Sequence, residues 1–599
     1  MAQWLPTTKK ECERLGWDQL DVILFTGDAY VDHPSFGTAV IGRVLEAHGY
    51  KVAIVPQPNW QDDLRDFKKL GAPRLFFGVS AGAMDSMVNR YTAGKRLRSE
   101  DAYTPDGRHT GRPEYPSIVY TKALKKLFPD VPVVLGGIEA SLRRFTHYDY
   151  WQDKLLPNIL ELSGADYLTY GMGEKVTIAL ADALNEGRAD DIRSIPQVAF
   201  LADTVPGGIT DQDKVLASHE QCLADKRSQA ANFRIIEEES NMILAHRIIQ
   251  PTAKRYVVVN PPYPPLTTPE LDAIYDLPYT RLPHPRYNGK RIPAYEMIRH
   301  SVTIHRGCYG GCSFCTISAH QGKQIVSRSK ESILRELRQI TQMDDFKGYI
   351  SDLGGPSANM YGTGGHDKSI CAKCKRPTCL TPKVCPNLHT DLTALIDLYR
   401  AADKVPGIKK TCIGSGIRYD ILQYNDPDPK AGKSHAAYAK ELIEKHVSGR
   451  LKVAPEHTSS SVLALMRKPP FSQFEEFKKS FDRINRECGL KEQIIPYFIS
   501  SHPGCTEQDM AELAVITKRL NFKLEQIQDF TPTPMTLSTE IFYTGINPYT
   551  MKPVFTARTD REKQAQRQFF FWYDQTQRHR LIAELKRIGR PDLIPVLFK

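Results

Sequence analysis

Three cysteines, Cys308, Cys312 and Cys315, constrain this chain more than any other feature. They read C-x3-C-x2-C in the run His305-Arg306-Gly307-Cys308-Tyr309-Gly310-Gly311-Cys312-Ser313-Phe314-Cys315. The short apolar strand Ser301-Val302-Thr303-Ile304 precedes them. Ser329 caps a helix after them whose Ile333, Leu334, Leu337 and Ile340 share one face. Three thiolates on a glycine-rich loop, with no nearby fourth, suit a cubane cluster with three protein-bound irons and one open iron. Structural zinc and fully Cys-ligated clusters take four ligands instead. The glycines let the backbone wrap such a cluster and aim amide N–H groups at its sulfides. A zinc site with a fourth ligand from His305 or a distant residue stays open at this point.

Downstream landmarks bear on that choice. Tyr349-Ile350-Ser351-Asp352-Leu353 reads as a strand ending in Gly354-Gly355, followed by Pro356. Thr411 to Arg418 ends in Gly414-Ser415-Gly416, Val453-Ala454-Pro455-Glu456-His457 ends another strand, and Ile494 to Ser500 runs into His502-Pro503-Gly504. Gln526 to Phe530 reads as one more strand. Polar residues at the C-terminal ends of parallel strands are where α/β barrels place their sites.

The cysteine spacing, with aromatic Phe314 before the last cysteine and these loops in order, is similar to the signature of the radical S-adenosylmethionine (SAM) superfamily. It resembles most closely the YgiQ-type family, from about residue 15 to 560. The resemblance implies a [4Fe–4S] cluster on Cys308, Cys312 and Cys315 whose open iron chelates SAM. It also implies reductive cleavage to a 5′-deoxyadenosyl radical, fed by an external donor such as flavodoxin or ferredoxin. Phe314, Gly354, Gly355, Ser415 and Glu456 are the implied SAM-binding residues. Pro356 stands where the family often has glutamate. No catalytic residue is assigned, and the substrate is open, RNA and protein being the candidates. The competing reading is a non-catalytic iron–sulfur protein that passes electrons or senses redox state, which would not need the SAM loops.

A second cysteine group, Cys371, Cys374, Cys379 and Cys385, makes C-x2-C-x4-C-x5-C among Lys, Arg and Pro. Four thiolates in so short a segment fit a closed site, either zinc or an auxiliary iron–sulfur cluster. His366 and His389 flank it as ordinary loop histidines.

Ahead of these motifs, apolar runs alternate with helical periodicity. Leu20–Phe25, Lys51–Val55, Arg74–Val79, Val131–Leu135 and Tyr167–Tyr170 read as strands. Thr38–His48 and Lys175–Leu184 read as helices, which implies a doubly wound α/β domain. The segment 93–116 reads as a long charged loop over the strand ends. The domain resembles cobalamin-binding domains, but Asp32 and His33 are adjacent and Gly37 falls one residue too far for their Asp-x-His-x-x-Gly motif. Cobalamin with a histidine ligand is therefore not expected; Gly27, Gly136 and Gly137 leave the approach of a corrin without one open, and the plainer expectation is a degenerate domain for substrate recognition or dimer contact.

At 599 residues the chain is long enough for about three or four domains. The expected fold class is α/β: a doubly wound, cobalamin-binding-like domain over 1–205, a helical segment and Pro-rich linker over 206–297, and a partial (β/α) radical SAM barrel over 298–545. A Cys-rich insertion occupies 366–390, and a basic segment 546–599 ends the chain. Residues 551–599 carry eleven Lys and Arg against five Asp and Glu, and are expected as a solvated, partly disordered terminus. No stretch approaches the roughly 20 apolar residues of a membrane span. With no secretory pattern at the start, a cytoplasmic protein without membrane contact is expected.

Overall fold

The apolar runs that end in glycine or small polar residues become the strands of a parallel sheet. In the computed structural model, which describes residues 3–598, these are β1 Val22–Thr26, β2 Val52–Pro56, β3 Phe76–Ser80 and β4 Val133–Gly136. Nearly all their residues are buried, as strands covered on both faces must be. After a hairpin of β5 His147–Asp149 and β6 Lys154–Leu156 come β7 Tyr167–Thr169, β8 Val198–Ala202, β9 Lys214–Val215, β10 Ile248–Pro251 and β11 Tyr256–Val259. One nine-stranded sheet runs β2-β1-β3-β4-β7-β8-β11-β10-β9. Its first five strands are parallel, and β8 runs antiparallel to both neighbours. With the hairpin set aside, the parallel half has the doubly wound order 2-1-3-4-5, reversing between β1 and β3. In such sheets the loops after those two strands form the ligand crevice.

Here that crevice is filled from within. Arg112, from the loop 93–116, is 2% exposed. Its Nε and Nη2 donate to Asp101 at 2.8 and 2.9 Å, and its Nη1 donates to Asp28, after β1, at 3.1 Å. The loops around it are packed too tightly for side chains. A Cβ on Gly27 would lie 2.3 Å from the Ala81 carbonyl oxygen, and one on Gly82 would lie 2.0 Å from an Asp28 oxygen. Gly27 serves loop-on-loop packing, whereas the sequence left it free for the approach of a corrin.

The expected boundary near residue 205 moves. β9, β10 and β11 extend the same sheet, so 206–297 is not merely helix and linker. The Pro-rich stretch is also docked: Val31 bridges Pro283, and Tyr30 N–H donates to the Tyr287 hydroxyl at 2.7 Å. Two units result. The first runs to Arg299 and takes in Ala319–Gly322 and Cys371–Lys375; the second holds His300–Ser318, Lys323–Ile370 and the chain from Arg376 onward.

The second unit steps through parallel strands separated by helices. It comprises β12 Ser301–Thr303, β13 His305–Arg306, β14 Val326–Ser327, β15 Tyr349–Ile350, β16 Asp352–Gly354, β17 Gly364–Gly365, β18 Leu388–His389, β19 Lys410–Thr411, β20 Arg450–Glu456, β21 Gln493–Ser500 and β22 Gln526–Asp529. β12 pairs with β16, β15 with β19, and β20-β21-β22 form a three-stranded sheet, all parallel. The helices Lys330–Ile340, Thr393–Ala402, Pro429–Glu441, Phe471–Glu487 and Glu507–Arg519 fall between them, as in an incomplete barrel. The expected cap holds, since Ser329 accepts from Ser332 N–H, and Ile333, Leu337 and Ile340 are fully buried.

The basic terminus is folded, contrary to expectation. Its helices Asp560–Arg567 and Arg578–Arg587 bury Leu581 and Leu585, and Lys518 Nζ of helix Glu507–Arg519 donates to the Val596 and Leu597 carbonyls. Amphipathic spacing of those leucines offsets the charge that suggested disorder. Gln566, 1% exposed, accepts from Ser501 N–H at 2.8 Å and donates to the Cys505 carbonyl at 2.7 Å. Gln566→Leu leaves both backbone groups buried and unpaired, at about 1–3 kcal/mol each. Urea unfolding of the variant is expected to show that loss, and an unchanged midpoint would refute it.

Candidate functional site

The three cysteines sit where β12 and β13 hand the chain to the helix side. Gly307 and Gly311 adopt φ of 86° and 57°, a left-handed backbone that winds the loop tightly. Cys315 N–H donates to the Cys312 carbonyl at 3.1 Å. The loop is tied from outside by Ser313, whose N–H donates to the Met466 carbonyl and whose carbonyl accepts from Ser538 N–H. The Ser313 hydroxyl lies 2.7 Å from that of Ser538, which is in turn 2.7 Å from His502 Nε2. Burial pushes the His502 imidazole down to about 3, keeping it neutral.

The donor set fits a cluster with an open iron. Burial, then the Cys312 and Cys308 charges, pushes the Cys315 thiol up to about 12, and burial and Cys312 raise Cys308. The charges that raise Cys315 come from thiols of the same loop, and a bound cation would favour their thiolate forms. Among the described residues, no group of three His, Cys, Asp or Glu side chains is already drawn into a metal-holding arrangement. His305 adds a second sign. It is fully buried, and neither ring nitrogen has a hydrogen-bond partner. A Cβ on Gly355 would lie 2.4 Å from that ring. The imidazole leaves two buried nitrogens unsatisfied, and its ring fills the space beside the Gly355 backbone.

Next to the loop, a cavity of about 400 Å3 is lined by Phe314, Gly414, Gly416, Glu456, Lys452, and Gln528 to Thr531. That volume lies within the roughly 300–1,000 Å3 usual for small-ligand sites. Phe314 packs edge-on to His502 at 6.0 Å between centroids. Glu456 occupies a bulge of β20 at φ 69°, strain of a kind stored at functional sites. Burial raises its carboxyl, against the pull of Lys468 at 3.7 Å and of Arg418. Gly354 ends β16 and Gly355 follows it, and neither lines this cavity. Ser415 does not offer its hydroxyl to the cavity: it donates to Asp352 Oδ2 at 2.5 Å, while Gly414 and Ser415 N–H groups donate to Oδ1. Asp352 thus shapes the Gly-Ser-Gly loop from across the sheet.

The insertion divides between the units. Cys371 and Cys374 share a turn in the first, where Ala372 accepts from Ile243 and Leu244 N–H groups. Cys379 and Cys385 lie in the second, joined by a 2.7 Å backbone hydrogen bond and packed with Cys308, Tyr309, Leu380 and Leu388. His366 and His389 stack edge-on at 5.1 Å. In the first unit, His33 has both nitrogens engaged, Nδ1 accepting from Ser35 N–H and Nε2 lying 2.7 Å from Arg281 Nη2.

Arg418 and Asp420 were not singled out in the sequence. Arg418 is 7% exposed; its Nε and Nη2 grip both Asp420 oxygens at 2.9 and 2.5 Å, and Nη1 donates to Cys312 Sγ at 3.4 Å. The Arg-x-Asp spacing just after Gly-Ser-Gly was the available signal.

The chain has relatives among known proteins. Residues 4–301 match a family model described as radical SAM N-terminal, and 525–596 one described as a domain of unknown function, DUF3362. The chain is 66% identical to a UPF0313 protein of Bacteroides thetaiotaomicron over all of this chain and 98% of that one. It is 65% identical to a UPF0313 protein of Porphyromonas gingivalis, over 100% and 95%. Among solved structures it is similar to TsrM, a radical S-adenosylmethionine methyltransferase from Kitasatospora setae solved with tryptophan substrate and a SAM analog. That likeness has a TM-score of 0.46 and 15% identity, covering 86% of this chain and 75% of that one. No helix among the described residues is long and apolar enough to cross a membrane.

Proposed function

This chain belongs to the UPF0313 family, the YgiQ-type branch of the radical SAM superfamily, and from that premise we propose that it cleaves SAM reductively at the Cys308–Cys312–Cys315 loop. A [4Fe–4S] cluster with SAM would supply radical chemistry, abstraction of hydrogen from a substrate (an RNA or a protein), with its electron from an external one-electron donor. The chain's own residues do the holding and shielding. Cys308, Cys312 and Cys315 would hold three irons. The backbone of Gly354 and Gly355, with His305 beside it, would receive the amino-acid end of SAM. Phe314 would pack on the adenine, and Glu456 would accept from the ribose. Asp352 holds Ser415 and Gly414 in place, and Phe530 keeps that wall of the cavity apolar against water.

The observation that carries this reading is the cavity itself. Cluster-loop Phe314 and the strand-end residues Gly414, Gly416, Glu456 and Asp529 line one space. A protein that only passes electrons has no use for it. The test is anaerobic: reconstituted protein, dithionite and SAM, against the Cys308→Ala, Cys312→Ala, Cys315→Ala triple variant. 5′-Deoxyadenosine is expected from the wild type and only background from the variant. Equal yields would refute the reading.

A further inference from the structure

We propose that Arg418, pinned by Asp420, is a positioning charge that sets the reduction potential of the cluster held at Cys308, Cys312 and Cys315. This rests on the reading just given.

The guanidinium is not placed there by chance packing. Its backbone is clamped by Asn359, which is fully buried; Asn359 Oδ1 accepts from Arg418 N–H at 2.8 Å, and Nδ2 donates to the Arg418 carbonyl at 2.9 Å. Asn359 follows the Gly354-Gly355 turn, so the loop after β16 aims the loop after β19. Asp420 takes two of the three guanidinium nitrogens in a fork, which fixes the plane and leaves Nη1 pointing at sulfur. Gly310 makes the room. A Cβ there would lie 2.7 Å from Arg418 Nη1 and 3.3 Å from Cys308 Sγ. An arginine side chain keeps its proton in proteins, and the Asp420 carboxylate offsets the cost of burying it here.

A fixed cation with an N–H on a ligand sulfur favours the more negative of two cluster states, and charge and hydrogen bonds at sulfur are what set cluster potentials. The step served adds one electron, from an external one-electron reductant such as dithionite, to the oxidised cluster. No proton moves, since the guanidinium keeps its own. Asp420 tempers the effect: it orients Arg418 while cancelling part of its charge. The two residues therefore act with opposite signs, which a purely structural tie between loops would not produce.

The experiment uses anaerobically reconstituted full-length protein, with iron and sulfide counted and the midpoint read by electron paramagnetic resonance in a mediated redox titration. Arg418→Gln, at wild-type iron content, is expected to lower the midpoint by at least the ~59 mV that a tenfold change in a one-electron equilibrium represents. Asp420→Asn is expected to raise it above wild type. Should Arg418→Gln fail to load, the direction of the Asp420→Asn shift decides alone: upward supports the inference, and unchanged or downward overturns it. A loaded Arg418→Gln with a wild-type midpoint overturns it as well. Wild type that binds no iron and sulfide overturns the functional reading itself, a different result from a loaded cluster with an unmoved potential.

Discussion

Gly311→Ala is expected to cut cluster loading to less than a tenth of wild type. Gly311 has φ +57°, where an L side chain costs about 1–2 kcal/mol. The added methyl would also stand 2.1 Å from the Pro377 carbonyl oxygen and 2.8 Å from its carbon. Those are backbone atoms of a segment held by the Cys379 N–H bond to the Tyr309 carbonyl and by Lys323 Nζ on the Arg376 carbonyl, so they do not rotate away. The loop must move instead, and Cys312 moves with it. Gly310→Ala, one position earlier, meets only the tip of Arg418 and the Cys308 sulfur. It is expected to keep most of its iron. Iron and sulfide per chain measure both variants, and equal loading would show that the contact with Pro377 is slack.

Arg112→Met is expected to cost the first unit about 3–5 kcal/mol, because it strands Asp28 and Asp101 in a site from which water is excluded. Asp101 would keep only the Asn89 amide and the Tyr103 N–H, and Asp28 only the Ala83 N–H. The loss should depend on pH. In the wild type, burial pushes the Asp28 carboxyl up to about 7, with Arg112 opposing. A carboxyl raised on folding binds its proton in the folded chain at a pH where the unfolded chain has released it. Its contribution is fully present below about pH 4 and is lost as pH rises through about 7. Without Arg112 the shift grows, so the deficit should be larger at pH 8 than at pH 5.5. Four of the five tryptophans (Trp4, Trp17, Trp60 and Trp151) belong to this unit, and their fluorescence in urea reports it. A deficit below ~1 kcal/mol, or one flat in pH, would mean the carboxylates find other partners.

Much of the scaffold could be read from the chain because burial on both faces leaves unbroken apolar runs. β1 to β4 and β7 lie where those runs lie. β10 and β11 escaped notice because their short runs sit between a charged helix and a proline-rich stretch, and β9 because it is two residues long, so pattern suggested a linker while pairing made a sheet edge. Arg112 was hidden for a related reason. A charge in a charged loop reads as solvated, and only the convergence of Asp28 and Asp101 from other segments buries it. At the second site, cysteine spacing was legible because chemistry demands it locally. Ser415 was read as facing a ligand, yet Asp352, 63 positions away, claims its hydroxyl. Arg418 became visible as a partner of Cys312 only once the loops after β16 and β19 met.

The Gln566 bridge makes the cavity wall depend on a distant segment of the chain. Ser501 and Cys505 border the loop after β21, and Asp529, which lines the cavity, also accepts from Arg567 at 2.7 Å. Both supports come from one helix, Asp560–Arg567, more than thirty positions beyond the strands they brace. Loss of that helix is therefore expected to leave the three cysteines in place and the wall around Asp529 without its ties.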